Sequence, residues 1–247
     1  MKLRWLIALG VIVYLVFAIV TLPASVVLDR LRDSGITAAG VEGTAWKGRA
    51  ELLQVQGVNV GRVDWDLHAL ALLALKVRAD VKVTRSDGFL QSVLDVRSGP
   101  IRFSDLSASV PLSALSGIAP QGWSGTVNLR FAELIIDEGW PVSANGSAEI
   151  LNLESTSRRS PLTGSYKLTF PAPDTQPAND VLVGAITDIG GPLAISGTVE
   201  LRRDRSYLLS GLVAAKPDAP RNLANQLQIL GPPDPQGRRQ FSLEGTL

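Results

Sequence analysis

The feature that most constrains this chain is a two-residue alternation of apolar and polar side chains, clearest in KVRADVKVTR at 76–85. Val77, Ala79, Val81 and Val83 fall on one side, and Lys76, Arg78, Asp80, Lys82 and Thr84 on the other. Only an extended backbone sends successive side chains to opposite faces, so the stretch predicts a strand with one face covered and one wet. The pattern recurs in GTVNLRF (125–131), through Val127, Leu129 and Phe131, and in GSYKLTF (164–170), through Tyr166, Leu168 and Phe170. GTVEL (197–201) repeats it with Val199 and Leu201. Asp87-Gly88 and Asn145-Gly146 are expected to be hairpin turns, because Asn or Asp before Gly tolerates positive φ. RRDRS (202–206) is expected to turn GTVEL into YLLSGLV. About a dozen short strands with few helical interruptions predict an all-β domain: a curved antiparallel sheet, a sandwich or an open barrel.

Two segments break the alternation. LHALALLAL (67–75) is apolar all round but too short to span a bilayer, so it reads as a buried loop or helical turn between strands. DAPRNLANQLQIL (218–230) predicts a short helix, with Asp218 as cap, Pro220 in the first turn, and Leu223, Leu227 and Leu230 on one face. Such a helix would be a lid over an open end of the sheet. PAPDTQPAND (171–180) reads as an exposed loop.

Before the strands stands WLIALGVIVYLVFAIVTL, 18 residues from Trp5 to Leu22 without a formal charge. As a helix it would reach roughly 27 Å, close to the apolar thickness of a bilayer. Trp5, Leu6, Tyr14, Phe17 and Leu22 are its anchoring candidates. Lys2 and Arg4 precede it, which favours a cytoplasmic amino terminus and places the rest of the chain across the membrane. A cleaved signal peptide is the competing reading; its apolar core is usually shorter, and Leu22 is a poor small residue three positions before Ala24. The expected organisation is an anchor at 1–24, a linker at 25–40 and a β-rich domain at 41–247. Recurrent Gly-Thr strand starts suggest two approximate halves within that domain, 41–135 and 145–247.

Composition narrows the chemistry. Cysteine is absent and His68 is the single histidine, so Cys-based and multi-His metal sites are excluded. Beyond Arg4 the chain carries 22 basic and 23 acidic residues, which leaves no field to steer it to nucleic acid. The basic pairs Arg158-Arg159, Arg202-Arg203 and Arg238-Arg239 read as solvated turns, and Asn145-Gly146-Ser147, although a glycosylation sequon, as part of its hairpin. Asp64 and Asp66 in VDWDL share one strand face, but a solvated outer face with Val63, Trp65 and Leu67 inside accounts for them. No nucleophile elbow, zinc-binding helix or phosphate-cradling loop is present. No catalytic residue, cofactor or metal is therefore expected. Trp46 and Trp65 read as large apolar side chains on paired early strands, with Trp46 an inward anchor.

Taken in order, the early apolar run, Gly43, Thr44, Trp46 and Gly48, and then Trp65, Leu67, Leu72 and Leu73 resemble the type II secretion system protein N family. The carboxyl end is similar as well: Tyr207, Leu208, Gly211, Pro220, the 223–230 stripe, and Asp234, Gly237, Arg238, Phe241 and Gly245. The resemblance spans almost the full chain, with 86–195 adding only strand pattern. It implies a bitopic inner-membrane protein whose periplasmic domain serves the export of folded proteins, with other secretion components (the inner-membrane platform or the secretin) and membrane lipid as partners. It supplies no catalytic residues. The carboxyl-terminal pattern is also similar to the AsmA-like envelope proteins, which would imply a lipid-binding scoop with an open apolar groove.

Overall fold

The structure, a computed structural model, describes residues 2–72, 75–97, 99–115, 122–155, 163–172 and 181–246, and only the backbone of 2–4, 6, 8, 12, 15, 16, 70, 221 and 222. Among the described residues thirteen strands follow chain order from β1 to β13 in one all-β open sheet, and every described pairing is antiparallel. The chain divides into two compact units, 1–95 and 96–247.

In the first unit, α1 (Lys2–Val20) is followed by α2 (Ala24–Arg30), β1 (Ile36–Gly43), β2 (Lys47–Val55), β3 (Val58–Leu67), α3 (Ala69–Leu72), β4 (Val77–Thr84) and β5 (Phe89–Val96). The alternation at 79–84 holds, with Ala79 buried, Val81 and Val83 half-buried, and Asp80, Lys82 and Thr84 exposed. Val63, Trp65 and Leu67 stand opposite Val83, Val81 and Ala79, so three apolar cross-strand pairs line one face. Ala50 and Val63 are buried there. The short α2 packs along β1, the first strand of the sheet. Asp87-Gly88 lies in the β4–β5 turn as expected, with Arg85 N donating to Gly88 O at 2.9 Å, but neither residue is at the positive φ that the dipeptide suggested.

The second unit holds β6 (Ile101–Pro111), β7 (Trp123–Asp137), β8 (Trp140–Ser155), β9 (Gly164–Phe170), β10 (Val181–Gly190), β11 (Leu193–Arg202), β12 (Ser206–Ala215), α4 (Arg221–Gln226) and β13 (Arg239–Thr246). Its core joins Tyr166, Leu193, Ile195 and Val213 from the sheet to Leu223 and Leu227 from the α4 region. That segment does lie on the sheet. However, Pro220 rather than Asp218 occupies the N-cap, no side chain caps it, and its last turn, Leu227–Leu230, tightens to a 3-10 helix. Leu230 is therefore swung off the buried stripe and exposed.

Asn145-Gly146 is not a hairpin. It lies inside β8, with Asn145 facing Glu133 and Gly146 facing Phe131, while the turn falls at Glu138-Gly139, both at positive φ. Arg202–Ser206 does turn β11 into β12, helped by Asp204, whose carboxylate accepts from Ser206 N–H and O–H. Arg158-Arg159, Leu73 and residues 173–180 of the expected exposed loop lie outside the described residues.

Candidate functional site

The carboxyl end of a helix leaves its last carbonyls without partners inside the helix. At the end of α1, Phe17 O accepts from Thr21 N and Oγ1 and Ile19 O from Leu22 N, and one turn of the sheet adds two further donors. Trp46 Nε1 donates to Ile19 O at 2.8 Å, and Ala45 N donates to Leu22 O at 2.8 Å. Pro23 and Thr44 form an isolated antiparallel bridge beside these bonds. Trp46 is thus neither on a strand nor an inward anchor: it stands in the β1–β2 turn, and its indole N–H reaches the helix that precedes the sheet. The pattern of a lone tryptophan among small residues signalled an anchor, but its target lies 27 residues away and has no local mark.

The surrounding residues make that turn. Gly43 has φ +88, and a Cβ there would meet Lys47 O at 2.5 Å. Thr44 N donates to Lys47 O at 2.9 Å, and Lys47 N donates back to Thr44 Oγ1 at 3.2 Å. Gly48 faces Trp65 across β2 and β3, and a Cβ at Gly48 would lie 2.7 Å from the Trp65 ring. The Trp65 indole N–H in turn donates to Ala45 O at 3.3 Å. Leu67 closes the arrangement, its N–H donating to Trp46 O.

The opposite face of these strands is a ladder of charges. Lys47 pairs with Asp66 at 2.8 Å, Arg49 and Arg62 flank Asp64 at 3.6 and 3.5 Å, and His68 Nε2 lies 2.8 Å from Asp80. The strand register puts Lys47 opposite Asp66 and Arg49 opposite Asp64, the arrangement that favours opposite charges across an antiparallel pair. Asp64, Asp66 and His68 are thus committed to neighbouring strands on an exposed face. Among the described residues no group of three or more His, Asp or Glu side chains is placed to hold a metal ion.

A family model described as type II secretion system protein N matches residues 34–242. The chain belongs to that family. A type II secretion system protein N of Vibrio cholerae is 27% identical over 237 residues, covering 93% of this chain and 92% of its own. One from Aeromonas hydrophila is 24% identical over 257 residues, covering both chains fully. No solved structure matches the chain.

The carboxyl-terminal residues shared with the pattern of the protein N family are placed by the second unit. Phe241 faces Gly211 across β12 and β13, and Tyr207 faces Gly245. A Cβ on Gly211 would meet the Phe241 ring at 3.1 Å, and one on Gly245 the Tyr207 hydroxyl at 2.7 Å. Phe170 lies on Gly184 in the same way. An aromatic ring folded over a cross-strand glycine thus recurs in both units, Trp65 on Gly48 included. Gly237, at φ +79, closes a loop held by Asp234, whose carboxylate accepts from Gln236 N, Arg238 N and Arg238 Nε at 3.0, 2.8 and 2.9 Å.

At the margin of the second core, Asp188 accepts from Ile195 N at 2.8 Å and pairs with Lys216 at 2.6 Å. Burial alone would raise its carboxyl, but the Lys216 and Ile195 bonds together outweigh that and hold it below the ordinary aspartate range. Beside it the Tyr166 hydroxyl is pushed up to about 12 by burial, with the Asp188 charge adding to the effect. The phenol therefore stays protonated and donates to Thr163 O at 3.1 Å.

Of the anchoring candidates, Trp5, Tyr14 and Phe17 are exposed on α1, Leu22 follows its end, and the side chain of Leu6 lies outside the described residues. Among the described residues no helix is long and apolar enough to cross a membrane.

Proposed function

We propose that this member of the protein N family is a non-enzymatic inner-membrane component of the secretion apparatus, anchored by α1 and presenting its β domain to the periplasm. The domain acts there by contact with other secretion components, the inner-membrane platform or the secretin. The observation that carries this reading is the clamp at Ile19 and Leu22. A helix tied to a sheet by its terminal carbonyls passes its position on to that sheet, whereas a detachable leader has no use for such bonds. The sequence ground for the anchor is the uncharged run Trp5–Leu22, which as a helix would reach roughly 27 Å, and Lys2 and Arg4 before it favour an amino terminus inside.

The lipid-scoop alternative draws no support from the comparisons. The test is purification of the full chain from detergent-extracted membranes of its own host, with mass spectrometry of what accompanies it. Secretion components are expected. Their absence, together with normal export when the gene is deleted, would contradict the reading. His68→Ala and Asp64→Asn should leave export intact at normal protein level, since both side chains serve the charged face and no reaction.

A further inference from the structure

We propose that Leu72 and Leu75, in the connection between β3 and β4, form a second membrane contact that inserts into the outer face of the same bilayer beside α1. The proposal rests on the reading of α1 as a membrane anchor. Sequence suggested a buried loop or helical turn here; the structure forms the helical turn, α3, but leaves Leu72 and Leu75 exposed. Leu75 is 90% exposed and Leu72 36%. Leu75 also holds φ +54, the left-handed conformation in which a helical turn commonly ends. Its N–H donates to Leu72 O at 2.9 Å and Lys76 N donates to Ala71 O at 3.1 Å, so the backbone bonds of a helix cap hold that φ, and the Leu75 side chain is left facing outward.

The position of the segment identifies what covers it. The turn that holds the end of α1 lies between β1 and β2, and Leu67 N donates to Trp46 O, so β3 ends against that turn. His68 N then donates to Arg78 O, which sets α3 at the head of β3 and β4. Successive strands lie about 4.8 Å apart, so α3 stands roughly 10 Å across the sheet from the Trp46 turn, at the same end as the close of α1. A bilayer that holds α1 up to Ile19 must lie against this end of the sheet.

The charges agree. The apolar run is flanked by Lys76 and Arg78, and among the described residues no acidic side chain pairs with either, whereas Lys47 and His68 nearby are paired with Asp66 and Asp80. Two unpaired cations beside exposed leucines suit anionic headgroups above acyl chains. At the other end of the strands the exposed apolar residue Val58 lies beside the Gln56-Gly57 turn, away from α1.

The chain has no cysteine, so single-cysteine variants are clean reporters. The full chain would be reconstituted in vesicles of phosphatidylethanolamine and phosphatidylglycerol, and an environment-sensitive fluorophore attached in turn to Leu75→Cys, Leu72→Cys, Val58→Cys and Phe17→Cys. All four side chains are exposed, so none of the substitutions disturbs a core. The labels at 75 and 72 should show blue-shifted emission, quenched by a spin label on the acyl chains and not by aqueous iodide, and the label at 58 the opposite. If 75 and 72 behave like 58 while 17 is quenched from the lipid, this proposal is overturned and the anchor stands. If 17 is also quenched by iodide, the anchor reading has failed and takes this proposal with it.

Discussion

At the scale of single residues, four glycines of this chain are explained by the aromatic ring that crosses above them. Gly48, Gly184, Gly211 and Gly245 each leave room for an aromatic ring on the adjacent strand. Gly48→Ala should therefore destabilise the protein by about 2 kcal/mol, since a Cβ would stand 2.6 Å from Glu42 O as well as against Trp65. Thermal unfolding of the detergent-solubilised chain measures this. Trp46→Phe keeps an aromatic side chain but replaces the indole with a smaller ring that has no N–H to reach Ile19 O, and should cost about 1 kcal/mol or more. The motif was visible in sequence as Gly-Thr-x-Trp-x-Gly, but its meaning was not. Glycine and tryptophan signal a bend and an anchor, and nothing local tells which backbone atom the indole will find. The same gap misread Asn145-Gly146: the dipeptide favours a turn, yet Gly146 is required where Phe131 and Arg130 O approach from β7.

At the scale of elements, alternation was the most legible property because it depends on strand geometry alone. It placed the inward and outward faces of 79–84 correctly and failed at Val77, which is exposed at the start of β4. Val81→Asp should cost about 2 kcal/mol or more, by setting a charge between Trp65 and the apolar face. Lys82→Asp should change stability by about 0.5 kcal/mol, since Asp64 opposite it keeps Arg49 and Arg62. The α4 region was legible through its leucine spacing, and Leu223→Ala should cost about 3 kcal/mol by opening the core against Leu193 and Val213. The Asp188–Lys216 pair was not legible, for it joins residues on β10 and beyond β12. Its carboxyl is held below the ordinary value of about 3.9, so its stabilisation is complete above that pH and is lost as pH falls through the lower folded-state value. Asp188→Asn should lower stability by about 2 kcal/mol at neutral pH and flatten the acid limb of the unfolding curve.

At the scale of the whole molecule, the order of features along the chain carried the family, while the junction between α1 and the sheet emerges only in three dimensions. Among the described residues, every polar contact that holds the end of α1 from outside its own segment comes from the β1–β2 turn. That turn makes the helix and the first hairpin one mechanical piece. The most direct measurement is labelling of intact cells that express the full chain with Ser86→Cys, an exposed position in the β4–β5 turn, using a membrane-impermeant maleimide, followed by an alkaline wash of the membranes. Labelling without lysis, on a chain that stays in the washed inner-membrane fraction, is the expected result. Labelling only after lysis, or release of the labelled chain by the wash, would contradict it.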